Sequence, residues 1–381
     1  MKGLRKKLLV SLIYNESEVK PMLILFCNSI FSPSEVDIDY QDEYTASISC
    51  GLFEAELIDL DALVNENDAK KAVRKVSVAE YEKVAIYRGW MMKPDHYKEL
   101  YGVLMNKNIK LINTPEQYKN AHHLPGWYNM VEKVTPQSLC IPPEDFYLKF
   151  DGVMEQLKIF GNKPMIVKDY VKSRKHEWAD ACYIPDASDP EQVKRVTNNF
   201  ITRQGEDLIG GVVFREFIEF QSIGIHPKSG MPLTREYRAF FVNGKWICSF
   251  PYWDEVNYTG SDSEGHDEFI KQFSNINSNF YTVDYAFGKD GVWIIVEIGD
   301  GQVSGLPGCN DKQDFYAWLY HYTCGKSQNI NPFNELTEVK LKNGKVGTIV
   351  NVLPCSPPMY ILDLASENKT IEIAHAQIEN E

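Results

Sequence analysis

The first third of the chain alternates short apolar runs with longer polar stretches. The pattern predicts strands at Met22–Cys27, Glu56–Ile58, Lys83–Tyr87 and Lys110–Ile112, and a helix at Pro94–Asn106. Strands that alternate with helices are typical of a small α/β domain with a parallel sheet. Turn residues at Asn113–Pro115 and Leu124–Gly126 mark its end. We therefore predict an N-terminal α/β domain over residues 22–125.

The middle of the chain is predicted to be mainly strands, which gives an α+β domain over residues 126–325. Single strands are expected at Met165–Asp169 and Val212–Phe220, and helices at Asp189–Phe200 and Asp311–Cys324. Two segments predict hairpins. Glu236–Val242 and Lys245–Phe250 flank Asn243–Gly244, which is a strong short hairpin signal. Tyr281–Phe287 and Val292–Ile298 flank a glycine-bounded turn at residues 288–291.

The last part of the chain predicts a small separate unit over residues 335–381. Short strands are expected at Val339–Leu341, Gly347–Val352 and Tyr360–Leu364, after a polar linker at Lys326–Asn334. Several short strands joined by tight turns suggest an SH3-like β-barrel.

Composition narrows the classes of partner. A chain of 381 residues with 44% hydrophobic residues is large enough for two or three well-packed domains. The formal net charge of −13 disfavours a nucleic-acid backbone or an anionic membrane as partner. An anionic substrate would therefore need locally concentrated lysine and arginine. The cysteines form no CxxC pair, and we expect reduced thiols in a cytoplasmic protein.

The N-terminus resembles the start of a signal peptide only superficially. Lysines and an arginine precede the apolar stretch Leu8–Tyr14, which is too short, and no small-residue cleavage site follows. Met22 stands directly before the first strand-like run. We expect residues 1–21 to be an extension or an upstream start. No apolar run approaches membrane-spanning length.

The hairpin at residues 281–301 carries the most informative pattern. If Gly288 pairs with Gly291, one face holds only apolar or aromatic side chains: Val283, Tyr285, Phe287, Val292, Ile294, Val296 and Ile298. The other face holds Thr282, Asp284, Ala286, Trp293, Ile295 and Glu297.

In that register Asp284 lies opposite Ile295 and Glu297 opposite Thr282, so the two carboxylates are diagonal neighbours, roughly 5–8 Å apart at Cβ. Two such charges repel unless a cation lies between them, and carboxylate oxygens suit Mg²⁺. Asp300 follows and is expected to add a third oxygen. The alternative is a half-solvated face with unrelated acids.

Basic residues suited to phosphate occur in three places. Lys168 lies within the apolar strand predicted at Met165–Asp169, and the stretch Lys168–Trp178 adds Lys172, Arg174, Lys175 and His176 in a loop. Such a loop suits a flap over polyphosphate, although a single lysine in a strand often only reaches solvent at an edge. Arg215 and Arg238 interrupt apolar strands and suit a phosphate clamp. Their alternative is a structural ion pair with Glu216 or Glu236.

No Walker A sequence, GxGxxG fingerprint, kinase catalytic loop or nucleophile elbow is present. Taken in order, the segments instead resemble the ATP-grasp superfamily, and within it the divergent clade, marked by one arginine and two lysines, that includes eukaryotic cell division cycle protein 123. The resemblance covers roughly residues 83–308 and rests on these segments: YRGWM (Tyr87–Met91), HHLPGWY (His122–Tyr128), Lys168 with Lys175 and Trp178, REFIE (Arg215–Glu219), EYR (Glu236–Arg238), and Asp284 with Glu297.

This resemblance implies an ATP-grasp fold with an α/β pre-grasp domain, and it implies ATP and Mg²⁺ as cofactors. Lys168 and Lys175 would contact phosphates, the backbone at Glu216, Phe217 and Ile218 would pair with adenine, and Glu219 would touch ribose. Arg238, with Arg215 as the alternative, would face the γ-phosphate or an acyl-phosphate. The catalytic set is therefore Arg238, Arg215 and Lys175, and the metal set is Asp284, Glu297 and Asp300.

The resemblance implies an ATP-dependent carboxylate–amine ligase, acting on unidentified carboxylate and amine substrates that include a peptide or protein. The alternative is an ATP-binding assembly factor without ligase turnover. One departure bears on that choice. The family usually places an asparagine two residues after the second acid, where this chain has Gly299. The usual glycine-rich flap is also replaced by the basic loop at residues 170–176.

Overall fold

The computed structural model describes residues 21–225, 232–253, 255, 265–307, 312–324, 334–341, 344–353, 359–364, 369–374 and 378. The predicted extension at residues 1–21 lies outside this part except for its last residue. Contacts divide the chain into two compact units, Met1–Met92 with Glu99–Ile112 and Asn310–Glu381, and Lys93–Lys98 with Asn113–Cys309. The predicted domain boundary at residue 125 therefore lies inside the second unit.

The first unit contains the predicted parallel sheet. Its strands are β1 (Met22–Cys27), β2 (Phe53–Ile58), β3 (Lys83–Arg88) and β4 (Ile109–Leu111), in the order β2-β1-β3-β4, and each neighbouring pair is parallel. The central strand β1 is apolar along its whole length and buried at every position, as expected for a strand covered on both faces. The helices are α1 (Gln41–Ser49), α2 (Leu60–Val64), α3 (Ala69–Ala72) and α4 (Pro94–Met105), with a 3₁₀ turn at Ile38–Tyr40.

A buried ion pair joins distant segments of this unit. Arg88, at the end of β3, is fully buried and donates from Nε and Nη2 to the Glu43 carboxylate of α1 at 2.7–2.9 Å. The hydroxyl of Tyr316 donates to the same carboxylate at 2.5 Å.

The C-terminal region forms a meander rather than an observed barrel. Its strands β15 (Glu338–Lys340), β16 (Val346–Leu353), β17 (Met359–Leu364) and β18 (Lys369–Ala374) pair in sequence order, all antiparallel. A small apolar core that includes Ile349, Tyr360 and Leu362 covers one face. An isolated antiparallel bridge joins Leu341 to Ile378, but no closed barrel is found among the described residues, so the predicted SH3-like barrel stays a prediction. Tyr316 belongs to the helix Lys312–Cys324, close to the predicted span.

The second unit is built on two four-stranded sheets and one small hairpin. The first sheet contains β5 (Ser138–Ile141), β6 (Met165–Lys168), β7 (Tyr183–Ile184) and β8 (Val212–Glu216), in the order β5-β8-β6-β7. The helices of this part of the unit are α5 (Pro115–His122), α6 (Leu124–Val131), α7 (Pro143–Leu148), α8 (Phe150–Leu157), α9 (Trp178–Ala181) and α10 (Pro190–Gln204). Short 3₁₀ turns lie at Glu132–Val134, Lys158–Phe160, Lys175–Glu177 and Gly205–Asp207. Strands β9 (Ser222–Ile225) and β10 (Pro232–Thr234) pair separately.

The second sheet of this unit contains β11 (Glu236–Val242), β12 (Lys245–Pro251), β13 (Phe280–Phe287) and β14 (Trp293–Asp300), in the order β12-β11-β13-β14. Helix α11 (His266–Lys271) follows β12, and the helix Lys312–Cys324, which belongs to the first unit, is α12. The predicted hairpin at Asn243–Gly244 is confirmed, because both residues have positive φ, 49° and 74°, as a two-residue primed turn requires. One face of this sheet packs on a core that includes Tyr281, Val283 and Tyr285.

The buried ion pair provides a test of the first unit. Glu43→Ala leaves the Arg88 guanidinium without its counter-charge, so we expect the unit to lose about 3–5 kcal/mol of stability. Chemical denaturation followed by hydrogen exchange of β1 and β3 measures the loss. Asp42→Ala, at the neighbouring exposed acid, is the control and is expected to change stability by less than about 0.5 kcal/mol. Equal effects of the two substitutions would contradict this assignment.

Candidate functional site

Three strands of the second unit place charged side chains side by side on one face. Arg238 of β11 is the direct partner of Asp284 on β13, and Asp284 is the direct partner of Glu297 on β14. Paired residues of neighbouring strands project to the same face. Arg238, Asp284 and Glu297 therefore form a row across the sheet, on the face opposite the aromatic core.

A lysine from the other sheet completes this row. Lys168 is the last residue of β6, and its Nζ donates to Glu297 Oε1 at 3.0 Å. At the other end, Arg238 Nε and Nη2 donate to the two oxygens of Asp284, both at 2.7 Å. Asp284 is 5% exposed and Lys168 is 8% exposed. We call these four residues the charge row: a cation, two carboxylates and a second cation.

The charge row sets the protonation of its acids. Burial alone would raise the pKa of Glu297, but Lys168 beside it, with Lys175 and Arg215, lowers that pKa below its usual range. Burial raises the pKa of Asp284, and the bidentate Arg238 opposes this rise. The two flanking cations, Lys168 and Arg238, thus oppose the effect of burial on the pKa values of the two carboxylates.

The strand register differs from the predicted one in two places. Phe287 pairs with Trp293 and Tyr285 with Ile295, so Trp293 and Ile295 lie in the aromatic core and not on the predicted carboxylate face. A β-bulge then shifts the register, and Asp284 lies directly opposite Glu297 instead of diagonal to it. The bulge restores the alternation, which is why the predicted face of Glu297 is nevertheless the observed one.

The basic loop approaches the charge row. Lys175 begins the 3₁₀ turn Lys175–Glu177 and its side chain is exposed, while its charge acts on both Asp284 and Glu297. The loop is anchored by the buried Asp169, whose carboxylate accepts from the backbone N–H groups of Val171 and Lys172 at 2.7 and 2.6 Å. The structure therefore brings Lys168, Lys175, Arg238, Asp284 and Glu297 together.

The predicted adenine segment lies at the end of β8. Glu216 is the last residue of the strand and pairs with Lys163 at 2.7 Å. Phe217 contacts the stacked rings of Trp178 and Tyr183. Ile218 is half-buried, and the exposed Glu219 pairs with Lys289 at 2.5 Å.

Two predicted site residues lie away from the open face of the charge row. Arg215 is buried and donates from Nη2 to the carbonyl oxygen of Val296 at 2.8 Å, so it contacts backbone in the opposite sheet. Asp300 is fully buried and accepts from Asn113 Nδ2 at 2.5 Å and from the N–H of Gln302 at 2.9 Å. Strand β14 continues to Asp300, which places it on the core face with Tyr281 rather than beside Glu297.

Three further residues lie around the charge row and were not among the predicted site residues. Glu236 precedes Arg238 by two positions on the same face, and burial, with Asp284 nearby, raises its pKa to about 7. His122 is 5% exposed, and its Nε2 has no hydrogen-bond partner within the described residues. Thr135 donates from its hydroxyl to the carbonyl of Ile295 at 2.9 Å. Only His122 and Glu236 lay in motifs noted in the sequence.

The donor set fits a divalent metal ion. Two directly opposed carboxylates with hard oxygen atoms suit Mg²⁺, which usually takes one or two carboxylates and completes its shell with phosphates and water. Across the part of the chain that the structure describes, no group of three or more His, Cys, Asp or Glu side chains could hold a metal. The charge row therefore supplies Asp284 and Glu297 and no third acid.

His122 gives a test of the electrostatics around the charge row. Burial, with His123 and the nearby lysines, lowers its pKa from 6.5 to about 4. The unfolded chain binds a proton at this histidine near pH 6.5, and the folded chain does so only near pH 4. The contribution of neutral His122 to folding stability is therefore fully present above pH 6.5 and is lost as the pH falls toward 4.

His122→Phe keeps the ring that stacks on Tyr118 and removes the titration. We expect the stability difference between wild type and variant to change by up to about 3 kcal/mol in favour of the variant between pH 7 and pH 4. Urea denaturation at a series of pH values measures it. A difference that is constant with pH would contradict the buried, neutral state of His122.

Part of the chain is similar to a known protein family. A protein family described as "ATP-grasp domain, R2K clade family 3" matches residues 156–319. A search of curated proteins found no match. None of the described helices has the length and apolarity that a membrane crossing needs.

Solved structures show the same fold. The crystal structure of D-cycloserine synthetase DcsG aligns with a TM-score of 0.50 at 12% identity, covering 78% of this chain and 99% of that chain. A RimK domain protein ATP-grasp from Sphaerobacter thermophilus DSM 20745 aligns with a TM-score of 0.50 at 13% identity, covering 80% and 100%. Cdc123 from Schizosaccharomyces pombe aligns over 49% of this chain and 85% of its own, at 14% identity and a TM-score of 0.34, too low to add to the argument. Residues 156–319 are thus similar to the ATP-grasp domain of the R2K clade, the resemblance that the sequence predicts.

Proposed function

We propose that the charge row is the Mg-ATP site of an ATP-dependent carboxylate–amine ligase. The observation that carries this proposal is the direct juxtaposition of Asp284 and Glu297, each held by a cation that suits a phosphate. Buried charges need partners, and among the described residues Glu297 forms an ion pair with Lys168 and Asp284 forms one with Arg238.

Binding of Mg-ATP would exchange these partners. A divalent ion between the carboxylates would neutralise them and the phosphate oxygens, and this is the chemistry that the metal supplies. Lys168 and Arg238 would then be free to bind phosphate oxygens, with Lys175 covering them from the loop. The four charged residues of the charge row would thus have partners of opposite charge both before and after the ligand binds.

The chain's own residues would serve the reaction by alignment and charge neutralisation. A substrate carboxylate oxygen forms a bond to the γ-phosphorus as the bond to ADP breaks, which gives an acyl-phosphate. An amine then attacks the acyl carbon and phosphate leaves, while the amine proton passes to solvent. Arg238 would stabilise the charge that develops on the transferred group, and Lys175 would hold the phosphates in line.

The remaining assignments belong to the same proposal. The backbone of Glu216, Phe217 and Ile218 would bind the adenine edge, beside the aromatic group of Phe217, Trp178 and Tyr183, and Glu219 would bind ribose. Arg215 and Asp300 are left out of the ligand set because their side chains are engaged elsewhere. The acceptor is proposed to be a peptide or protein, as the clade resemblance suggests.

One observation favours the alternative, an ATP-binding assembly factor without turnover. Gly299 lies on the carboxylate face opposite Thr282, and a Cβ there would stand 2.9 Å from Thr282 Oγ1 and 3.1 Å from Ser304 Oγ. The site therefore lacks room for a third amide or carboxylate ligand at this position. A metal site with fewer protein ligands can still bind Mg-ATP, but it is less suited to holding two metal ions for phosphoryl transfer.

Titration calorimetry with ATP tests the site. Asp284→Asn should abolish the Mg²⁺-dependent gain in ATP affinity while leaving metal-free ATP binding equal or tighter, because the substitution frees Arg238 from its counter-charge. We expect the gain to fall by at least about tenfold, or 1.4 kcal/mol. Asp290→Asn, at the exposed turn of the same hairpin, is the control and should bind as wild type. A variant at Asp284 with an unchanged Mg²⁺ dependence would refute this metal site.

ADP release distinguishes the two functions. A ligase should release ADP only when both a carboxylate and an amine substrate are present, and Arg238→Met should lower that rate by about a hundredfold or more while ATP still binds. Pools of peptides supply both groups for the assay. Tight ATP binding with no substrate-dependent ADP release from any pool would favour the assembly factor.

A further inference from the structure

The bulge in β14 decides where Glu297 points. From the turn to Tyr285, each residue of β13 pairs with one residue of β14, and Tyr285 pairs with Ile295. Continued without a bulge, this register would place Val296 opposite Asp284 and Glu297 opposite Val283. Because Val283 lies in the aromatic core, Glu297 would then point into that core. Val296 is the extra residue, and it moves Glu297 to the face of Asp284.

A bulge leaves backbone groups without ladder partners, and buried carbonyl groups must find others. Here two consecutive carbonyls of β14, those of Ile295 and Val296, are bound from outside the sheet. The Thr135 hydroxyl donates to Ile295 at 2.9 Å, and Arg215 Nη2 donates to Val296 at 2.8 Å. Arg215 Nη2 also donates to Thr135 Oγ1 at 2.9 Å, which links the two donors.

Both donors are built into the interior and come from the first sheet or its approach. Thr135 is 8% exposed and follows the 3₁₀ turn Glu132–Val134, and Arg215 is 5% exposed and lies on β8. The guanidinium lies over the Trp127 ring, 5.7 Å from its centroid. This placement fixes the guanidinium against β14 and ties the strand that carries Glu297 to the strand next to Lys168.

We propose that Arg215 and Thr135 are positioning residues that hold the bulge at Val296 and thereby set Glu297 opposite Asp284. They act through the backbone of β14 and touch neither metal nor phosphate. Their role predicts a specific defect: loss of either hydrogen bond loosens the bulge and weakens the carboxylate pair as a metal site. The contribution of Lys168 and Arg238 to metal-free ATP binding is unaffected.

Two variants and one matched control test this proposal. Thr135→Val removes the hydroxyl at nearly constant volume, and Arg215→Lys keeps the positive charge but loses the fork. Thr197→Val makes the same change at a buried threonine of α10 whose hydroxyl has no partner within the described residues. Hydrogen exchange of the peptide over residues 293–300, measured without nucleotide, reports the bulge directly.

The expected result has two parts. Exchange over residues 293–300 rises in both variants and not in Thr197→Val. The Mg²⁺ concentration for half-maximal enhancement of ATP binding rises by about tenfold or more, as for other residues that support metal ligands, while metal-free ATP affinity stays within about twofold. The second part rests on the proposed Mg-ATP function. If wild-type ATP binding shows no Mg²⁺ dependence, that function fails, and the exchange comparison alone decides whether the pair holds the bulge.

Three outcomes would overturn the proposal. The first is unchanged exchange over residues 293–300 in both variants. The second is faster exchange with an unchanged Mg²⁺ requirement, which would show that the bulge does not set the metal geometry. The third is a loss of metal-free ATP affinity in Arg215→Lys alone, which would make Arg215 a phosphate contact instead.

Discussion

Two carboxylates side by side on a partly buried sheet face are the constraint around which this domain is arranged. Placed alone, Asp284 and Glu297 would repel each other and lose hydration. The fold answers with one cation at each end, Arg238 from the neighbouring strand and Lys168 from the other sheet. Because Lys168 reaches across from β6, the same ion pair that neutralises Glu297 also joins the two sheets of the unit.

This arrangement links stability to ligand chemistry. Under the proposed function, the cations that pair with the acids would also bind the phosphates, so that ligand binding would replace ion pairs and create no new uncompensated charge. The aromatic core on the opposite face, which includes Tyr237, Tyr285 and Trp293, keeps the three strands rigid. A rigid sheet holds ligands in place more accurately than loops would.

Much of the fold followed from local patterns. The alternation of strands and helices predicted the parallel sheet of the first unit. Asn243–Gly244 predicted the hairpin of β11 and β12 in the second unit, because only residues that tolerate positive φ suit that turn. The helix α5 was missed although Thr114 caps it with a capping box, because no apolar period marks so short a segment. Three of the four C-terminal strands were predicted and β18 was missed, while closure into a barrel stays a prediction.

The candidate site was predictable in its residues and less so in its geometry. Strand alternation identified Asp284 and Glu297, but the register depends on a bulge whose carbonyls are bound by Thr135 and Arg215, far away in sequence. Nothing in the sequence of β14 alone predicts this bulge. Asp300 was misplaced for a related reason, since the strand extends to include it and alternation turns it toward Asn113.

A crystal structure of the protein with Mg²⁺ and a non-hydrolysable ATP analogue tests the central claim most directly. We expect a metal ion about 2.1 Å from oxygens of both Asp284 and Glu297, with Lys168 Nζ and the Arg238 guanidinium moved from the carboxylates to phosphate oxygens. A nucleotide bound elsewhere, with the Lys168–Glu297 and Arg238–Asp284 pairs intact, would contradict it.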